Sequence, residues 1–335
     1  MKNIFITGGA GFIGSHLVEA LVKSGHKVKT LVRYNKENSI GWLSNANKDI
    51  KNEVEILFGD INDPFLIEKN TKKIDIIYNL AALISIPYSY ESPSEYVRTN
   101  INGTLNCLEA AKKNNVQQFI QTSTSEVYGT AQQKKISETH PLNAQSPYAA
   151  TKIASDQLTL SYFKSFNLPA TVIRPFNTFG PRQSMRAVLP NILMQIAKSK
   201  KNPVDVILGN VNSRRDFVYV SDTVNGFMKC INNKKINGEV INLGTGTQFS
   251  ILEVVNILRK ILDKKIRIIT DKKRVRPKKS EVNILIANNT KAKKLLNWRP
   301  NFSGKKGFEL AILKSLEWFN ENKDSSKYDI KRYNK

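Results

Sequence analysis

Tyrosine, lysine and carboxylate side chains occur in this chain at spacings that could support proton transfer. Tyr148 and Lys152 are four residues apart in an amphipathic stretch, so on a helix both side chains lie on one face. An ammonium group a few ångströms from a phenol favours the phenolate, by on the order of one to a few pK units. Glu126 belongs to the segment TSTSEVYG, which directly follows an apolar run typical of a buried strand. These residues could therefore form an acid–base site where a strand opens into a cleft.

A glycine-rich turn, GGAGFIG at residues 8–14, lies between an apolar run and an amphipathic stretch. Glycines at these spacings let a pyrophosphate approach the backbone, and the following helix offers free N–H groups and its positive end to that anion. A strand before the turn and a helix after it favour a dinucleotide site over an ordinary tight turn. The order of the motifs also supports a site, since Thr124 ends the fifth predicted strand and the Tyr–Lys pair lies on the next helix.

The residue that would choose between NAD and NADP is an arginine. An acid for the adenosine ribose is expected about 20 residues after the glycines, and Arg33 stands there, followed by Tyr34. An arginine can accept the 2′-phosphate of NADP, or it can be a surface residue without any ribose contact. Either NAD or NADP is therefore expected. The predicted cofactor-binding residues are Gly8, Gly11, Phe12, Ile13, Gly14, Arg33, Asp60, Ile61, Ala81, Ala82, Tyr148 and Lys152.

Short apolar runs alternate with amphipathic stretches in the first half of the chain. Strands are predicted at residues 3–7, 27–32, 54–58, 74–80, 119–122 and 171–173, and helices at 12–23, 93–113 and 147–166. Repeated strand–helix–strand units predict an α/β fold, a Rossmann-like doubly wound parallel sheet with a smaller α/β substrate-binding lobe. The shorter elements after residue 175 are predicted helices at 190–198, 222–231 and 251–262 and strands at 204–208 and 217–220.

The predicted domains follow from this change of pattern. Residues 1–175 form an NAD(P)-binding Rossmann domain to which later segments return, residues 176–321 form mainly a substrate-binding lobe, and residues 322–335 form a charged tail. The formal charge of +24 comes from lysines spread along most of the chain, so a solvated basic surface is favoured over nucleic-acid binding. A basic cleft would also attract diphosphate ligands.

Cysteine and histidine usage gives no metal-ligand spacing. Cys107 and Cys230 each lie inside a helical pattern, as buried free thiols do, and the three histidines are scattered. No metal is expected. No apolar run is long enough to cross a membrane, and the first strand begins at residue 3, which leaves no room for a secretory leader. A cytoplasmic protein without a membrane partner is expected.

GGAGFIG, TSTSEVYG and the YAATK segment at residues 148–152 together resemble the extended short-chain dehydrogenase/reductase family. The resemblance implies that Tyr148 acts as a base on a sugar hydroxyl, with its pKa lowered by Lys152 and by the nicotinamide charge, and that Thr124 orients that hydroxyl. Over about residues 1–320, segments such as AALISIPYSYESP, RPFNTFGPRQSMRAVLP and RPKKSEV resemble the nucleotide-sugar 4,6-dehydratases. The likeness is greatest to those that act on GDP-N-acetylglucosamine in legionaminic acid synthesis.

This resemblance implies a role for Glu126. Oxidation of the sugar at carbon 4 acidifies the proton on carbon 5, a carboxylate can remove that proton, water leaves carbon 6, and the hydride returns to carbon 6. The cycle is redox-neutral, so the cofactor can stay tightly bound. dTDP-glucose dehydratases carry Asp-Glu where this chain has Ser125-Glu126, whereas GDP-mannose dehydratases have Ser-Glu. The acid that protonates the leaving hydroxyl therefore stays open, and Glu126 could instead bind backbone N–H groups.

The resemblance also implies residues for the substrate, a nucleotide-diphosphate sugar. Asn177, Arg215 and Arg276 match positions that bind the sugar diphosphate, next to Ser125. Arg174 and Arg214 could equally form structural or surface ion pairs. A homodimer through a four-helix contact is the habit of the family.

Three other functions remain open. A UDP-glucuronate decarboxylase needs a cation for the substrate carboxylate, and no arginine is singled out for it. A sugar-nucleotide 4-epimerase needs no base for carbon 5, so Glu126 counts against it. A non-catalytic dinucleotide-binding sensor needs no tyrosine–lysine pair.

Overall fold

Short strands and amphipathic helices alternate along residues 1–325, the part of the chain that the computed structural model describes. The strands are β1 (Asn3–Thr7), β2 (Lys27–Arg33), β3 (Val54–Gly59), β4 (Ile76–Asn79), β5 (Gln118–Thr122), β6 (Ala170–Pro175), β7 (Asn177–Phe179), β8 (Val204–Leu208), β9 (Arg214–Arg215), β10 (Phe217–Tyr219), β11 (Val240–Leu243), β12 (Phe249–Ser250), β13 (Ile266–Thr270) and β14 (Ile284–Leu285). The helices are α1 (Phe12–Lys23), α2 (Lys48–Glu53), α3 (Pro64–Asn70), α4 (Ile86–Glu91), α5 (Pro93–Tyr96), α6 (Gly103–Lys113), α7 (Pro147–Phe166), α8 (Val188–Lys198), α9 (Val220–Met228), α10 (Ile251–Leu262), α11 (Thr290–Leu296) and α12 (Gly304–Glu321).

Seven parallel strands form the main sheet, in the order β11-β6-β5-β4-β1-β2-β3. The winding direction reverses between β1 and β4, and in such sheets ligands bind at that point, beyond the carboxyl ends of the strands. Helices cover both faces, because the inner strands bury nearly all of their mostly apolar side chains, which must be shielded from water. The predicted Rossmann-like α/β fold is confirmed, with β1, α1 and α7 at their predicted bounds.

Buried hydrogen bonds hold the carboxyl ends of three central strands together. Thr7 Oγ1 donates to Asn79 Oδ1 at 2.6 Å, and Asn79 Nδ2 donates to Gln121 Oε1 at 2.8 Å. Thr7 Oγ1 also accepts from the backbone N–H groups of Leu80 and Ala81, each at 3.0 Å. This row of side-chain hydrogen bonds crosses β1, β4 and β5 and fixes the sheet edge on which the site lies.

The predicted single helix over residues 93–113 is interrupted. Between α5 and α6 the chain makes a wide π-helical turn, Val97–Asn102, a feature that often accompanies functional sites. It turns Asn100 inward, where the side-chain amide accepts from Leu83 N at 2.9 Å and donates to Leu83 O at 3.0 Å. The spacing of apolar residues does not reveal such a turn, because its cause is this contact with a distant loop.

Strand β11 and helix α12 are among the elements that were not predicted. Strand β11 joins the main sheet beside β6 although it follows the smaller lobe in sequence, and its four residues are too few to show a period. Helix α12 buries Phe308, Ile312, Leu316 and Phe319 on one face. That helical spacing is visible in the sequence, so this second omission was avoidable.

A second core lies among the later elements. It is formed mainly by α8, α10, α12 and the strands β8 and β10. Phe308 of α12 stacks on Phe217, with ring centroids 5.5 Å apart, and on Phe249 at 4.4 Å. The division into two domains stays a prediction, because β11 and the segments around it cross between the cores. Helix α12 ends at Glu321, and residues 326–335 of the predicted tail lie outside the described residues.

No helix among residues 1–325 has both the length and the apolar character that a membrane span requires. Within the same residues, no three histidine, cysteine, aspartate or glutamate side chains gather as a metal site would require. Both cysteines are buried free thiols, and burial raises the pKa of Cys107 to about 12.

Candidate active site

A cavity of about 870 Å³ runs along the carboxyl edge of the main sheet and into the smaller lobe. All of the cofactor-binding, catalytic and substrate-binding residues predicted from the sequence lie on its wall. The fold therefore brings together motifs that are up to 268 residues apart, from Gly8 to Arg276. Lining the same cavity does not assign a role, so the individual roles remain predictions.

The glycine turn forms one end of the cavity. Gly8 has a φ of +74°, and a Cβ there would lie 2.9 Å from the backbone nitrogen of Ala81. A Cβ on Gly14 would lie 2.2 Å from the carbonyl oxygen of Gly8. Both positions therefore require glycine, the first for its backbone conformation and the second for close packing of α1 on the turn. The N-terminus of α1 opens directly onto this cradle and fits a dinucleotide pyrophosphate.

Arg33 and Asp60 follow neighbouring strands, β2 and β3, at the adenosine side of the cradle. Both side chains are exposed, and Ile61 beside them is buried. Asp60 Oδ1 accepts from Asn62 N at 2.9 Å and from Asn62 Nδ2 at 2.8 Å. The Arg33 guanidinium forms no hydrogen bond or ion pair with residues 1–325, so it is free to meet a ribose or a 2′-phosphate. The choice between NAD and NADP stays open.

Helix α7 carries Tyr148 and Lys152 on its buried face. The helix begins at Pro147, and the Ser146 hydroxyl caps it by accepting from Ala149 N at 3.1 Å. Lys152 Nζ donates to the carbonyl oxygen of Thr122, at the end of β5, at 2.6 Å. This bond fixes the lysine between the helix and the strand edge. Burial lowers the pKa of Lys152 to about 8, an effect that the carboxylate of Asp156 partly opposes.

The polypeptide alone does not lower the pKa of Tyr148. Burial raises the pKa of this phenol, the hydrogen bond with Thr124 acts to lower it, and the negative charge of Glu126 acts to raise it. The expected depression of the phenol pKa therefore needs positive charge from a bound ligand in addition to the lysine.

A buried ion-pair cluster that the sequence analysis did not assign lies one turn beyond Lys152. We use this name for Ser123, Asp156, Arg174 and Tyr128. Asp156 Oδ2 accepts from Ser123 Oγ at 2.7 Å and from Arg174 Nε at 2.9 Å, and it forms an ion pair with Arg174 Nη2 at 2.9 Å. Arg174 Nη1 donates to Tyr128 Oη at 2.8 Å. Asp156 is the eighth residue after Tyr148, and this helical spacing could have predicted that it lies on the same face of α7. This ion pair with Asp156 fits the alternative in which Arg174 stabilises the fold and does not bind substrate.

Glu126 lies on a 3₁₀ turn, Ser125–Tyr128, that begins where β5 ends. Thr124 caps the turn, since its Oγ1 accepts from Glu126 N at 3.2 Å. The Glu126 carboxylate itself forms no hydrogen bond or ion pair with any of residues 1–325, and it lines the cavity. It is close enough to raise the pKa of both Tyr148 and Arg215. Binding of this carboxylate by backbone N–H groups, the alternative considered above, does not occur among these residues.

Two arginines and an asparagine face the cavity from the smaller lobe. Arg215 is buried, and its Nη2 lies 3.7 Å from Glu281 Oε1. Burial lowers the pKa of Arg215, while Glu126 and Glu281 act to raise it. Arg276 Nη1 and Asn177 Oδ1 are buried polar atoms without a hydrogen-bond partner in the described residues. Buried groups of this kind normally have partners, so both atoms fit a ligand that supplies acceptors and donors.

This chain is similar over most of its length to several known proteins. The GDP-mannose 4,6 dehydratase family model matches residues 5–310. The human dTDP-D-glucose 4,6-dehydratase is 30% identical over 96% of this chain and 91% of its own length. UDP-glucuronic acid decarboxylase 2 of Arabidopsis thaliana is 33% identical over 92% of this chain and 67% of its own length. The structure of UDP-glucuronic acid 4-epimerase from Bacillus cereus in complex with UDP-glucuronic acid and NAD is similar with a TM-score of 0.83 and 30% identity, over 95% of this chain and 99% of that one.

Proposed function

This chain belongs to the extended short-chain dehydrogenase/reductase family of NAD(P)-dependent nucleotide-sugar dehydratases and epimerases, and from that premise we propose that it is a nucleotide-sugar 4,6-dehydratase. Its proposed substrate is GDP-N-acetylglucosamine, and its product is the 4-keto-6-deoxy sugar nucleotide. The observation that carries the proposal is the Glu126 carboxylate, which faces the cavity without a partner among residues 1–325, two residues after Thr124.

The oxidation step depends on Tyr148 and Thr124. The Gly8–Gly14 cradle, Asp60 and Ala81 would hold the dinucleotide, which when bound accepts a hydride from carbon 4 and later returns it to carbon 6. Tyr148 takes the proton of the carbon 4 hydroxyl as the hydride departs, and Thr124 orients that hydroxyl. Lys152 stabilises the negative charge that the Tyr148 phenolate carries before it takes this proton, in a site where burial strengthens electrostatic interactions.

The elimination step depends on Glu126. The new ketone acidifies the proton on carbon 5, and the carboxylate removes it while the carbon 6 hydroxyl departs. That hydroxyl needs one proton to leave as water, and the protonated Glu126 can supply it. Ser125, where other dehydratases carry an aspartate, is buried and offers no second carboxylate. Return of the hydride to carbon 6 leaves an enolate, which takes at carbon 5 a proton drawn from solvent through Glu126, while Tyr148 releases to solvent the proton that it took from the carbon 4 hydroxyl. The cycle thus restores the charges of Glu126 and Tyr148 and expels one water overall.

Substrate recognition is proposed for the wall opposite the cofactor. Arg215 and Arg276 can bind the diphosphate oxygens, since a guanidinium presents paired donors to such anions. Asn177 presents a buried carbonyl oxygen that can accept from a sugar hydroxyl or amide. These contacts place the hexose between the arginines and Tyr148, the direction in which the cavity runs.

Mass spectrometry of the product tests the proposal and separates it from its alternatives. The purified protein is incubated in deuterated water with GDP-N-acetylglucosamine and, separately, with a panel of GDP-, dTDP- and UDP-sugars that includes UDP-glucuronate. A dehydratase gives a product that is lighter by one water and carries deuterium at carbon 5. Loss of carbon dioxide from UDP-glucuronate would instead establish a decarboxylase, and an isomer of equal mass an epimerase. If no sugar nucleotide changes while NAD(P) binds, the non-catalytic sensor is supported and the proposal is wrong.

A further inference from the structure

The side chain of Gln145 joins three segments that carry the candidate active-site residues. It lies three residues before Tyr148, just outside α7, and is partly buried. Its Oε1 accepts from the backbone N–H of Thr130 at 2.6 Å. Its Nε2 donates to the carbonyl oxygens of Lys279 at 3.0 Å and Glu281 at 3.3 Å. The amide therefore uses its acceptor towards one segment and its donors towards another.

The first of these segments is the turn that follows Glu126. Gly129 ends that turn with a φ of +64°, and a Cβ there would lie 2.7 Å from Gln145 Oε1 and 2.5 Å from Asn143 O. The glycine thus allows the amide to approach the backbone closely. Because Gly129 N also donates to Glu126 O at 3.2 Å, the amide of Gln145 fixes the far end of the turn that presents the carboxylate.

The second segment is the turn over residues 277–281, immediately after Arg276. Ser280 N and Glu281 N both donate to Pro277 O, at 2.8 and 3.1 Å. Ser280 Oγ then donates to the carbonyl oxygen of Gln145 at 2.5 Å, which leaves Tyr90 Oη, also 2.5 Å away, to donate to Ser280 Oγ. Side chain and backbone of Gln145 therefore both hold this turn.

Two arginines depend on the position of the 277–281 turn. Arg276 precedes it directly, and the carboxylate of Glu281 at its end lies 3.7 Å from Arg215 Nη2. Both guanidiniums line the cavity. A displacement of the turn away from Gln145 would move Arg276 with it and would also remove the carboxylate that faces Arg215.

We propose that Gln145 is a positioning residue that sets the distance between the acid–base groups and the diphosphate-binding arginines. Only a primary amide of this length accepts from Thr130 N while donating to two carbonyl oxygens. A glutamate of the same shape would turn a carboxylate towards those two carbonyls, and an alanine would leave all three backbone groups without this partner. The expected change in KM for a sugar nucleotide rests on the proposed function. The expected change in Kd for a nucleoside diphosphate does not.

The test measures nucleoside-diphosphate binding to the cofactor-loaded protein, together with turnover. Calorimetric Kd values for GDP, UDP and dTDP, and kcat and KM for GDP-N-acetylglucosamine, are compared for the wild type, Gln145→Glu and Gln145→Ala. We expect Kd and KM to rise about tenfold in both variants, with kcat within about threefold, because the lost bonds place the arginines and do not touch the reacting atoms.

Two control variants separate positioning from charge and from stability. Gln117→Glu makes the same chemical change on the exposed, opposite side of the sheet, where Lys2 Nζ bonds the amide oxygen at 2.7 Å. Gln118→Ala removes a buried amide that donates to Cys230 O at 2.8 Å, also far from the site. The first control should leave every parameter unchanged. The second should lower the unfolding temperature without changing Kd or KM.

A double-mutant cycle gives the decisive readout. In an Arg276→Met background, Gln145→Ala should raise the diphosphate Kd by clearly less than tenfold, because Arg276, one of the two arginines that Gln145 positions, is already gone. Equal effects in both backgrounds would overturn the inference. An unchanged Kd in both Gln145 variants, or a wild type that binds none of the three diphosphates, would do the same. A wild type that binds a diphosphate but converts no sugar nucleotide would contradict the proposed function and leave the Kd comparison as the test of Gln145.

Discussion

The two walls of the cavity differ in how far the protein itself pairs the charges beneath Lys152 and those at the proposed diphosphate site. On the cofactor wall, the ion-pair cluster beneath Lys152 is buried, and Asp156 Oδ2 accepts from Ser123 Oγ and Arg174 Nε and lies 2.9 Å from Arg174 Nη2, although Asp156 Oδ1 and Thr122 Oγ1 have no hydrogen-bond partner in residues 1–325. On the substrate wall, Arg276 Nη1 and Asn177 Oδ1 are buried without a partner in residues 1–325. The charges near Lys152 are paired before any ligand arrives, and we call this the organised wall, whereas Arg276 on the substrate wall has no ion-pair partner among residues 1–325.

This difference divides the expected effects of substitution. Groups on the organised wall stabilise charge that develops during the reaction, so changing them should lower kcat. Groups on the other wall bind substrate in its ground state as well, so changing them should raise KM. Gln145 contacts segments of both walls, and its substitution should raise KM, as substitutions on the substrate wall do. The two walls do not have these separate roles if substitutions on the organised wall fail to lower kcat or substitutions on the substrate wall fail to raise KM.

Tyr148→Phe should have the largest effect on turnover. It removes the hydroxyl that takes the proton from carbon 4, and loss of a general base costs about 10²–10⁴-fold. We expect kcat to fall by about 10³ with KM little changed, measured by product formation. Tyr162→Phe is the matched control, since its hydroxyl lies on the same helix and bonds to Glu109, away from the cavity. Unchanged turnover in Tyr148→Phe would remove the catalytic reading altogether.

Asp156→Asn tests whether the organised wall supports Lys152. Breaking a buried ion pair leaves Arg174 uncompensated, so we expect a stability loss of about 3 kcal/mol by chemical denaturation. Asp156 also raises the pKa of Lys152, which is about 8 in the protein. Activity that needs the ammonium falls as pH rises through this pKa, so the variant should lose activity at a lower pH than the wild type.

The control for this prediction is Ser123→Ala. It removes one hydrogen bond to the Asp156 carboxylate but keeps its charge. We expect a stability loss of about 1 kcal/mol and an alkaline limb of the pH–rate profile that stays in place. An identical shift in both variants would show that disruption of packing, rather than the charge of Asp156, controls the lysine.

Glu126→Gln separates the two half-reactions. The amide cannot take the proton from carbon 5, so the rate of product formation should fall by about 10²-fold or more. Tyr148, Thr124 and Lys152 remain, so carbon 4 oxidation should continue and reduced cofactor should accumulate, seen by its absorbance. Glu55→Gln, at a surface ion pair with Lys29, should change neither signal. Loss of cofactor reduction in Glu126→Gln would contradict the proposed division of labour.

Local patterns were enough to predict the organised wall in outline. The strand–turn–helix around Gly8 to Gly14 and the spacing of Tyr148 and Lys152 are short-range features, and the helix and turn form as the periodicity requires. The resemblance to known dehydratases then extended the prediction to Asn177, Arg215 and Arg276, all of which line the cavity. The smaller lobe was predicted less completely, because β9, β12 and β14 have only two residues each and form through distant pairing.

Contacts between remote segments could not be predicted in the same way. Nothing near Gln145 in sequence indicates that its amide meets Thr130 and the 277–281 turn, since those partners are fixed by the packing of three separate segments. The burial of Tyr148, which raises the pKa of its phenol, could not be predicted either, because helical spacing does not show how deeply a side chain is buried or where Lys152 donates its hydrogen bond.

Arg276→Met should have the smallest effect and the one most specific to the substrate wall. Methionine keeps much of the side-chain volume but removes the charge and its donors, and a hydrogen bond to a charged group contributes about 1.5–3 kcal/mol. We therefore expect KM to rise about tenfold or somewhat more, with kcat within about threefold, measured by steady-state kinetics. Arg267→Met, which removes an exposed arginine paired with Asp205 at 2.6 Å, should leave KM unchanged. If Arg276→Met lowered kcat with KM constant, this arginine would act on the transition state, and the two walls would not differ in the way proposed.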